Sequence, residues 1–391
     1  MSNSTKTGTP ATTTGSRLRA LAAKAALFAF SFTLALGVAE VATRLLCRPV
    51  RGVSWYHNDP RYGVKHRPGV DRITTEWGER TPWRFRTNSR GFRWPEWGDA
   101  PAPGVSRVLV MGDSFTFGNA VEVEQAFPAV ADAALRRTGS WEVINAGVSG
   151  WGPQNALAYL ESEGAPIRGS CLVYAFYEGN DVMDAYVHPL YELRGGELVH
   201  LPAPKQMEGR AATARSLMRA FPAYELLLEH SQLFNMARNL FIQRTVWQAA
   251  KDAVTAGADD PDKPRPETFA KSLTETLATL DRLAALGRER FGGFALVTIP
   301  FREAALRGRG APQPPERTPE WVAVRSHEAV VDWARARGVP LIDMGERLPA
   351  EPAGIKALYF SVDFHFGVAG NRALGELVAE RIPGACPARP R

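Results

Sequence analysis

The feature that most constrains the fold is an alternation of short apolar runs with amphipathic segments after residue 104. Five apolar runs have the length of strands: RVLVMG, WEVINAG, SCLVYAFYEGND, FGGFALVTIP and GVPLIDM. Amphipathic segments such as VEQAFPAVADAALRR and EWVAVRSHEAVVDWARARG separate or follow them. Nearly continuous apolar strands joined by helices are typical of parallel sheets buried on both faces. The chain is therefore predicted to contain an α/β domain of three layers, with a doubly wound, flavodoxin-like parallel sheet.

The N-terminal region differs in composition from the rest of the chain. Residues 1–16 are rich in Ser, Thr and Gly and are predicted to form a disordered tail. Residues 17–47 form a hydrophobic segment that carries no charge between Lys24 and Glu40. A membrane anchor is the favoured interpretation, and a cleaved signal peptide or a buried helix are the alternatives. Basic residues lie on both sides of the segment, so the positive-inside rule does not orient it.

Two further regions surround the alternating pattern of the predicted domain, residues 105–385. Residues 52–104 are rich in Trp, Arg, Gly and Pro and are predicted to pack irregularly on the domain. Their aromatic block, residues 77–97, could stack on sugar rings, although packing is the favoured interpretation. Residues 185–266 are predicted to form a helical insertion. A packing layer over the sheet edge is favoured for it over a lid or a membrane-facing element.

Composition excludes several classes of function. The net charge of +6 comes mostly from arginines that form no dense basic run, so no nucleic-acid partner is predicted. Three cysteines, Cys47, Cys171 and Cys386, are too few for a disulfide framework or a zinc site. One Cys171–Cys386 disulfide is possible in an oxidising compartment, but buried free thiols are favoured. The seven histidines have no metal-ligand spacing, so neither a metal nor a cofactor is predicted.

Chemically capable residues follow several of the predicted strands. Ser114 follows the first strand, Gly147 the second and Asn180 the third, while Asp363 and His365 follow the last. Because active sites of doubly wound sheets form at the carboxyl ends of the strands, these residues are expected to converge. A serine nucleophile, a histidine base and an aspartate that orients the histidine suit acyl transfer. The Ser114 and Gly147 N–H groups and the Asn180 side chain could stabilise the oxyanion.

Each of these residues also has a structural interpretation. Ser114 could only cap a helix, Gly147 could only permit a turn and Asn180 could form an Asx-turn. The blocks GDSFTFG, NAG, GND and DFH, in this order, nevertheless resemble the SGNH/GDSL hydrolase superfamily over residues 106–182 and 291–382. The resemblance implies that Ser114, Asp363 and His365 form the triad, with Ser114, Gly147 and Asn180 as the oxyanion hole.

Finer features point to one branch of this superfamily. A single residue separates Asp363 from His365, and TNSRGFRWPE precedes the first block, which resembles a membrane-anchored bacterial branch. The favoured function is a serine esterase that removes acyl groups, acetyl among them, from envelope carbohydrate or lipid. The alternatives are an O-acyltransferase that acts on a polysaccharide and a non-catalytic, membrane-tethered glycan-binding protein. The domain is expected outside the cytoplasm, anchored to the membrane, or secreted if the N-terminal segment is cleaved.

Overall fold

The computed structural model describes most of the chain in eight stretches: residues 14–47, 56–74, 82–201, 223–241, 244, 259–308, 310–362 and 364–386. The chain divides into two compact units. The helical unit comprises Met1–Ser54 and Gly209–Ala250. The α/β unit comprises Trp55–Glu208 and Lys251–Arg391.

Eleven strands lie in the described part of the α/β unit: β1 Tyr56–Asp59, β2 Gly63–His66, β3 Asp71–Thr74, β4 Trp83–Arg86, β5 Ser106–Gly112, β6 Trp141–Asn145, β7 Cys171–Tyr177, β8 Tyr191–Arg194, β9 Glu197–His200, β10 Phe294–Ile299 and β11 Leu341–Asp343. Five of them form a parallel sheet of order β11-β10-β7-β5-β6. These five are the predicted strands, so the predicted doubly wound fold is confirmed. The strand order reverses between β5 and β7, which is where doubly wound sheets open a crevice for ligands.

The described helices are α1 Thr14–Leu46, α2 Ser114–Phe117, α3 Phe127–Thr138, α4 Pro153–Glu161, α5 Asp181–Val187, α6 Tyr224–His230, α7 Pro266–Phe291, α8 Arg302–Arg307, α9 Pro319–Arg337, α10 Pro352–Leu358 and α11 Val368–Ala385. Helices α4, α7 and α9 cover one face of the sheet, and α3, α10 and α11 cover the other. Within β5, Leu109 and Met111 pack against the first layer, and Val108 and Val110 against the second. Both faces of the strand are buried, which explains its continuous apolar sequence.

Short antiparallel hairpins lie in both accessory regions. The hairpins β1–β2 and β3–β4 precede the sheet, and Trp83 and Phe85 of β4 are buried. Trp97 is buried too, which agrees with packing rather than sugar binding, while residues 75–81 lie outside the described residues. The predicted insertion, residues 185–266, is divided. It opens with the end of α5 and the hairpin β8–β9 in the α/β unit, and only residues 209–250 belong to the helical unit.

A disulfide joins Cys171, the first residue of β7, to Cys386, just after α11. Their Cα atoms are 5.5 Å apart, and both residues are buried in the same core layer. The structure thus has the disulfide in place of the free thiols favoured from sequence. Cys47 is a free, partly exposed cysteine.

The helical unit is organised around α1. Leu18–Leu46 is long and apolar enough to cross a membrane, a statement of length and composition that a signal sequence also satisfies. The helix begins at Thr14, inside the predicted tail, and residues 1–13 lie outside the described residues. The Glu40 carboxylate accepts hydrogen bonds from the Ser231 hydroxyl at 2.8 Å and from the Gln232 and Leu233 N–H groups at 2.8 and 3.0 Å. Glu40 therefore caps the helical segment that follows Ser231.

Candidate active site

The turn that carries Ser114 is tightly constrained. Strand β5 ends at Gly112, and the Asp113 carboxylate accepts a hydrogen bond from the Phe115 N–H at 2.9 Å. Asp113 therefore caps α2, and Ser114 is the first residue of that helix rather than its cap. A Cβ at position 112 would lie 2.4 Å from Thr116 Oγ1, so only glycine fits this turn. The Ser114 side chain is thereby free of the capping role that sequence left open.

His365 approaches Ser114 from the loop before α11. Its Nε2 lies 2.6 Å from Ser114 Oγ, and the residue is 7% exposed. The imidazole packs against the rings of Phe115 and Phe364, with centroids 4.8 and 4.7 Å away. These contacts hold Nε2 at the hydroxyl, within the range in which a base takes a proton. Asp363 lies outside the described residues, so its role in orienting the ring stays a prediction.

Gly147 lies two residues beyond the end of β6. Its N–H donates to Asn145 Oδ1 at 2.9 Å, and Asn145 Nδ2 donates to the Thr116 carbonyl at 2.8 Å. A Cβ at position 147 would lie 2.4 Å from the Phe117 nitrogen, so glycine lets α2 pack closely here. The predicted oxyanion donor is thus engaged in an Asx-turn and would have to share its hydrogen with an oxyanion. Sequence assigned Asn145 no role, although an Asn two residues before a Gly is the Asx-turn signal.

Asn180 precedes α5 at the end of the β7 segment. In the described part of the chain its side chain makes no capping hydrogen bond to α5, and its buried Oδ1 has no hydrogen-bond partner. The Asx-turn that sequence left open as an alternative is therefore not what positions this carboxamide. The next residue, Asp181, has a structural role. Its carboxylate accepts hydrogen bonds from the Tyr174 hydroxyl and the Tyr177 N–H, both at 3.1 Å.

Three carboxyl groups, those of Asp113, Asp181 and Asp184, lie in or beside the segments that carry Ser114 and Asn180. Burial raises the pKa of Asp113 to about 6. Burial, together with the charge of Asp113, raises the pKa of Asp184 to about 8 and that of Asp181 well above its usual range. Protons are therefore retained in this cluster near neutral pH.

Arg93 belongs to the segment before the sheet and reaches the loop after α2. Its buried guanidinium donates to the carbonyls of Gly118 and Val121, both at 2.6 Å, and lies 4.6 Å from the Trp83 ring. Between these two carbonyls, Ala120 has a φ of 60°, which is uncommon for a residue with a side chain. Arg93 therefore holds the loop that follows α2 in a strained conformation. Sequence reasoning did not find this contact, because nothing local marks it.

A second histidine lies at the same edge of the sheet. His327 of α9 lies with Nδ1 2.8 Å from Oε1 of Glu178, the buried residue directly after β7. Both line an open cavity of about 670 Å³ that also contacts Asp343. Burial alone would lower the pKa of His327, but the hydrogen bond and charge of Glu178 outweigh it and raise that pKa to about 9. Sequence analysis assigned neither residue a role.

A comparison with solved structures finds similarity to a lipase/acylhydrolase from Enterococcus faecalis, at 15% identity and a TM-score of 0.39, covering 73% of this chain and 100% of that one. The native aryl esterase of M. smegmatis matches at 15% identity and a TM-score of 0.36, covering 72% and 100%. No curated protein matches the chain. The model of the GDSL-like Lipase/Acylhydrolase family matches residues 110–373, more than half of the chain. The chain therefore belongs to the GDSL-like lipase/acylhydrolase family and is a serine hydrolase of the SGNH/GDSL superfamily.

Proposed function

We propose that the protein is an esterase that hydrolyses O-acyl esters, acetyl esters among them, on carbohydrate or lipid of the cell envelope, through an acyl-serine intermediate on Ser114. The observation that carries this proposal is the distance of 2.6 Å between Ser114 Oγ and His365 Nε2. A serine hydroxyl is a weak nucleophile until a neighbouring base removes its proton. His365 is such a base within hydrogen-bond reach.

In the first half-reaction, Ser114 Oγ forms a bond to the ester carbon while its proton moves to His365 Nε2. The electron pair of the C=O bond moves onto the oxygen. Collapse of this intermediate breaks the bond to the alcohol oxygen, which takes the proton from His365. In the second half-reaction, water gives its proton to His365 and attacks the acyl carbon, and Ser114 leaves with that proton.

The oxyanion needs donors that are already in position. The Ser114 N–H, in the first turn of α2, and the Asn180 carboxamide are the two that we assign first. Gly147 is the third. Its N–H donates to Asn145 Oδ1 and can share this hydrogen with an oxyanion in a three-centre hydrogen bond. Removing one donor of this kind typically costs about 10²-fold to 10³-fold in turnover.

We place the α/β unit outside the cytoplasm. The Cys171–Cys386 disulfide supports this location, because such bonds persist in oxidising compartments. The apolar helix Leu18–Leu46 supports attachment to a membrane by length and composition. A phosphatase reporter that is active only after export, fused behind residue 391, should be active in cells. If a second reporter, one that works only in the cytoplasm, were active at the same fusion point, that result would contradict the location.

The full-length chain in detergent, incubated with a fluorophosphonate probe and with p-nitrophenyl acetate, tests the proposed function. Ser114→Ala should lose the label and about 10³-fold or more in turnover. Ser149→Ala is the matched control. The Ser149 hydroxyl donates to Asn119 Oδ1 at 2.9 Å, so its partner is an amide oxygen and not a histidine that could act as a base. This variant should still be labelled. Absence of labelling in the wild type, or equal labelling of Ser114→Ala, would rule the proposal out.

A further inference from the structure

Exposed apolar side chains of the α/β unit are concentrated beside His365. In the described part of this unit, the large hydrophobic residues that are exposed are Ile73, Val187, Val362, Phe364 and Val368. Three of these five lie within the seven residues 362–368, which contain His365. Among the described Phe, Tyr and Trp residues of the α/β unit, Phe364 alone is exposed, at 46%.

The orientation of the Phe364 ring is held by two buried rings. It is nearly parallel to the imidazole of His365, with an interplanar angle of 26° and centroids 4.7 Å apart. It is also parallel to the Tyr177 ring, at an angle of 5° and a distance of 6.3 Å. Both neighbours are buried, whereas Phe364 is 46% exposed, so part of this planar apolar ring faces solvent.

A flat surface of this kind suits a ligand that is itself a ring. An aromatic face carries partial negative charge and attracts the weakly positive C–H groups on the face of a sugar ring. The edge of a sugar carries hydroxyl and ester groups, which require polar partners. The Ser114 hydroxyl offers a polar partner near this ring, because it is hydrogen-bonded to the His365 imidazole on which Phe364 stacks. An alkyl chain, in contrast, has no face that must match a fixed ring plane.

We propose that Phe364 is the stacking platform for a pyranose ring whose ester Ser114 attacks. This inference rests on the proposed function and narrows its substrate to carbohydrate rather than lipid. The sugar lies against Phe364, so its binding energy orients the ester toward the nucleophile. A substrate without a sugar ring reaches Ser114 without this contribution.

The test compares two acetate esters on the full-length chain in detergent: a fully acetylated methyl xyloside and ethyl acetate, which is acyclic. The measured quantity is the ratio of kcat/KM for the sugar ester to kcat/KM for ethyl acetate. Phe364→Ala should lower this ratio about tenfold, mainly through KM for the sugar ester. Phe364→Trp should preserve the ratio, because it retains an aromatic face. Val368→Ala, which removes exposed apolar surface without an aromatic ring, is the matched control and should leave the ratio unchanged.

Each other outcome overturns the inference. Equal losses on both esters in Phe364→Ala would mean that the ring only positions His365. A long-chain acyl ester and an aryl ester are measured alongside. If Phe364→Ala lowered turnover of only one of these, the exposed ring would bind an acyl chain or an aryl group rather than a sugar. If the wild type hydrolysed ethyl acetate but not the sugar ester, the proposal of a stacking platform would be wrong, whereas the proposed esterase function would stand. Absence of turnover on both esters, together with absence of fluorophosphonate labelling, would instead remove the proposed function itself.

Discussion

Two histidines lie at the carboxyl edge of the same sheet, and each faces an oxygen at nearly the same distance. His365 lies 2.6 Å from the Ser114 hydroxyl, and His327 lies 2.8 Å from the Glu178 carboxylate. The first oxygen belongs to a neutral group that can give up a proton. The second belongs to a buried carboxylate that stabilises the protonated imidazole.

The difference shows that the partner of a histidine, rather than its distance from that partner, decides its role. With its pKa raised to about 9 by Glu178, His327 is a cation at neutral pH and cannot accept a proton there. It compensates the buried charge of Glu178 instead. His365 faces a group from which it can take a proton and to which it can return one. We therefore assign catalysis to the first pair and stability to the second.

Replacing each histidine by glutamine should separate these roles most strongly. His365→Gln should lower turnover of p-nitrophenyl acetate by about 10⁴-fold, because the proton acceptor is lost. His327→Gln should change turnover by less than about threefold, since it removes no group that contacts Ser114. Steady-state kinetics of the two full-length variants measure both effects. Comparable losses would contradict the assignment.

The position of Ser114 relative to His365 can also be changed without replacing either residue. Gly147→Ala would place a Cβ 2.4 Å from the Phe117 nitrogen, so the nucleophile helix must shift. A displacement of this kind should lower turnover about 10²-fold. Gly384→Ala is the control, because a Cβ there has no atom within 4 Å. If turnover of Gly147→Ala equalled that of Gly384→Ala, the close packing at Gly147 would have no catalytic importance.

The structural role of the His327–Glu178 pair can be tested by measuring the stability of variants. His327→Gln should lower the free energy of unfolding by about 1–3 kcal/mol, because Glu178 then lacks its charged partner in a buried position. Urea denaturation followed by tryptophan fluorescence measures the change. The double variant with Glu178→Gln removes the orphaned charge and should recover part of the loss. A double variant less stable than the sum of the single changes would exclude this explanation.

The smallest expected effect is a pH dependence. The folded-state pKa of His327 is raised from 6.5 to about 9, so the folded chain binds more protons than the unfolded chain between these values. The stability that the raised pKa of His327 contributes is complete below about pH 6.5 and is lost as pH rises through about 9. The thermal midpoint of the wild type should therefore fall more between pH 7 and 10 than that of His327→Gln. Parallel curves for the two proteins would refute this linkage.

Much of the fold follows from local patterns in the sequence. Each buried strand of the parallel sheet is an apolar run, so β5 was predicted over 107–112 and is observed at Ser106–Gly112. The hairpins β1–β2, β3–β4 and β8–β9 were not predicted as such. Their strands are four residues long, and several of their side chains are partly exposed. So short a segment carries little periodicity, and contacts with the rest of the unit decide its conformation.

The candidate site was predictable where order along the chain carries the information. The residues after successive parallel strands meet at one edge, which brings Ser114 and His365 together as expected. Arg93 and the Glu178–His327 pair were not predictable in this way. Glu178 and His327 are 149 positions apart, and neither lies in a motif. Contacts of this kind depend on how the helices pack on the sheet. The spacing of residues along the sequence does not reveal that packing.

The distance along the chain between nucleophile and base has a consequence for biosynthesis. His365 follows Ser114 by 251 residues, and α11, which completes one layer of the fold, follows His365. A nascent chain that has already formed the β5 turn therefore has a serine without its base until translation is nearly complete. With Ser114 as the proposed nucleophile and His365 as the proposed base, we expect a chain that ends before residue 365 to have no activity toward esters.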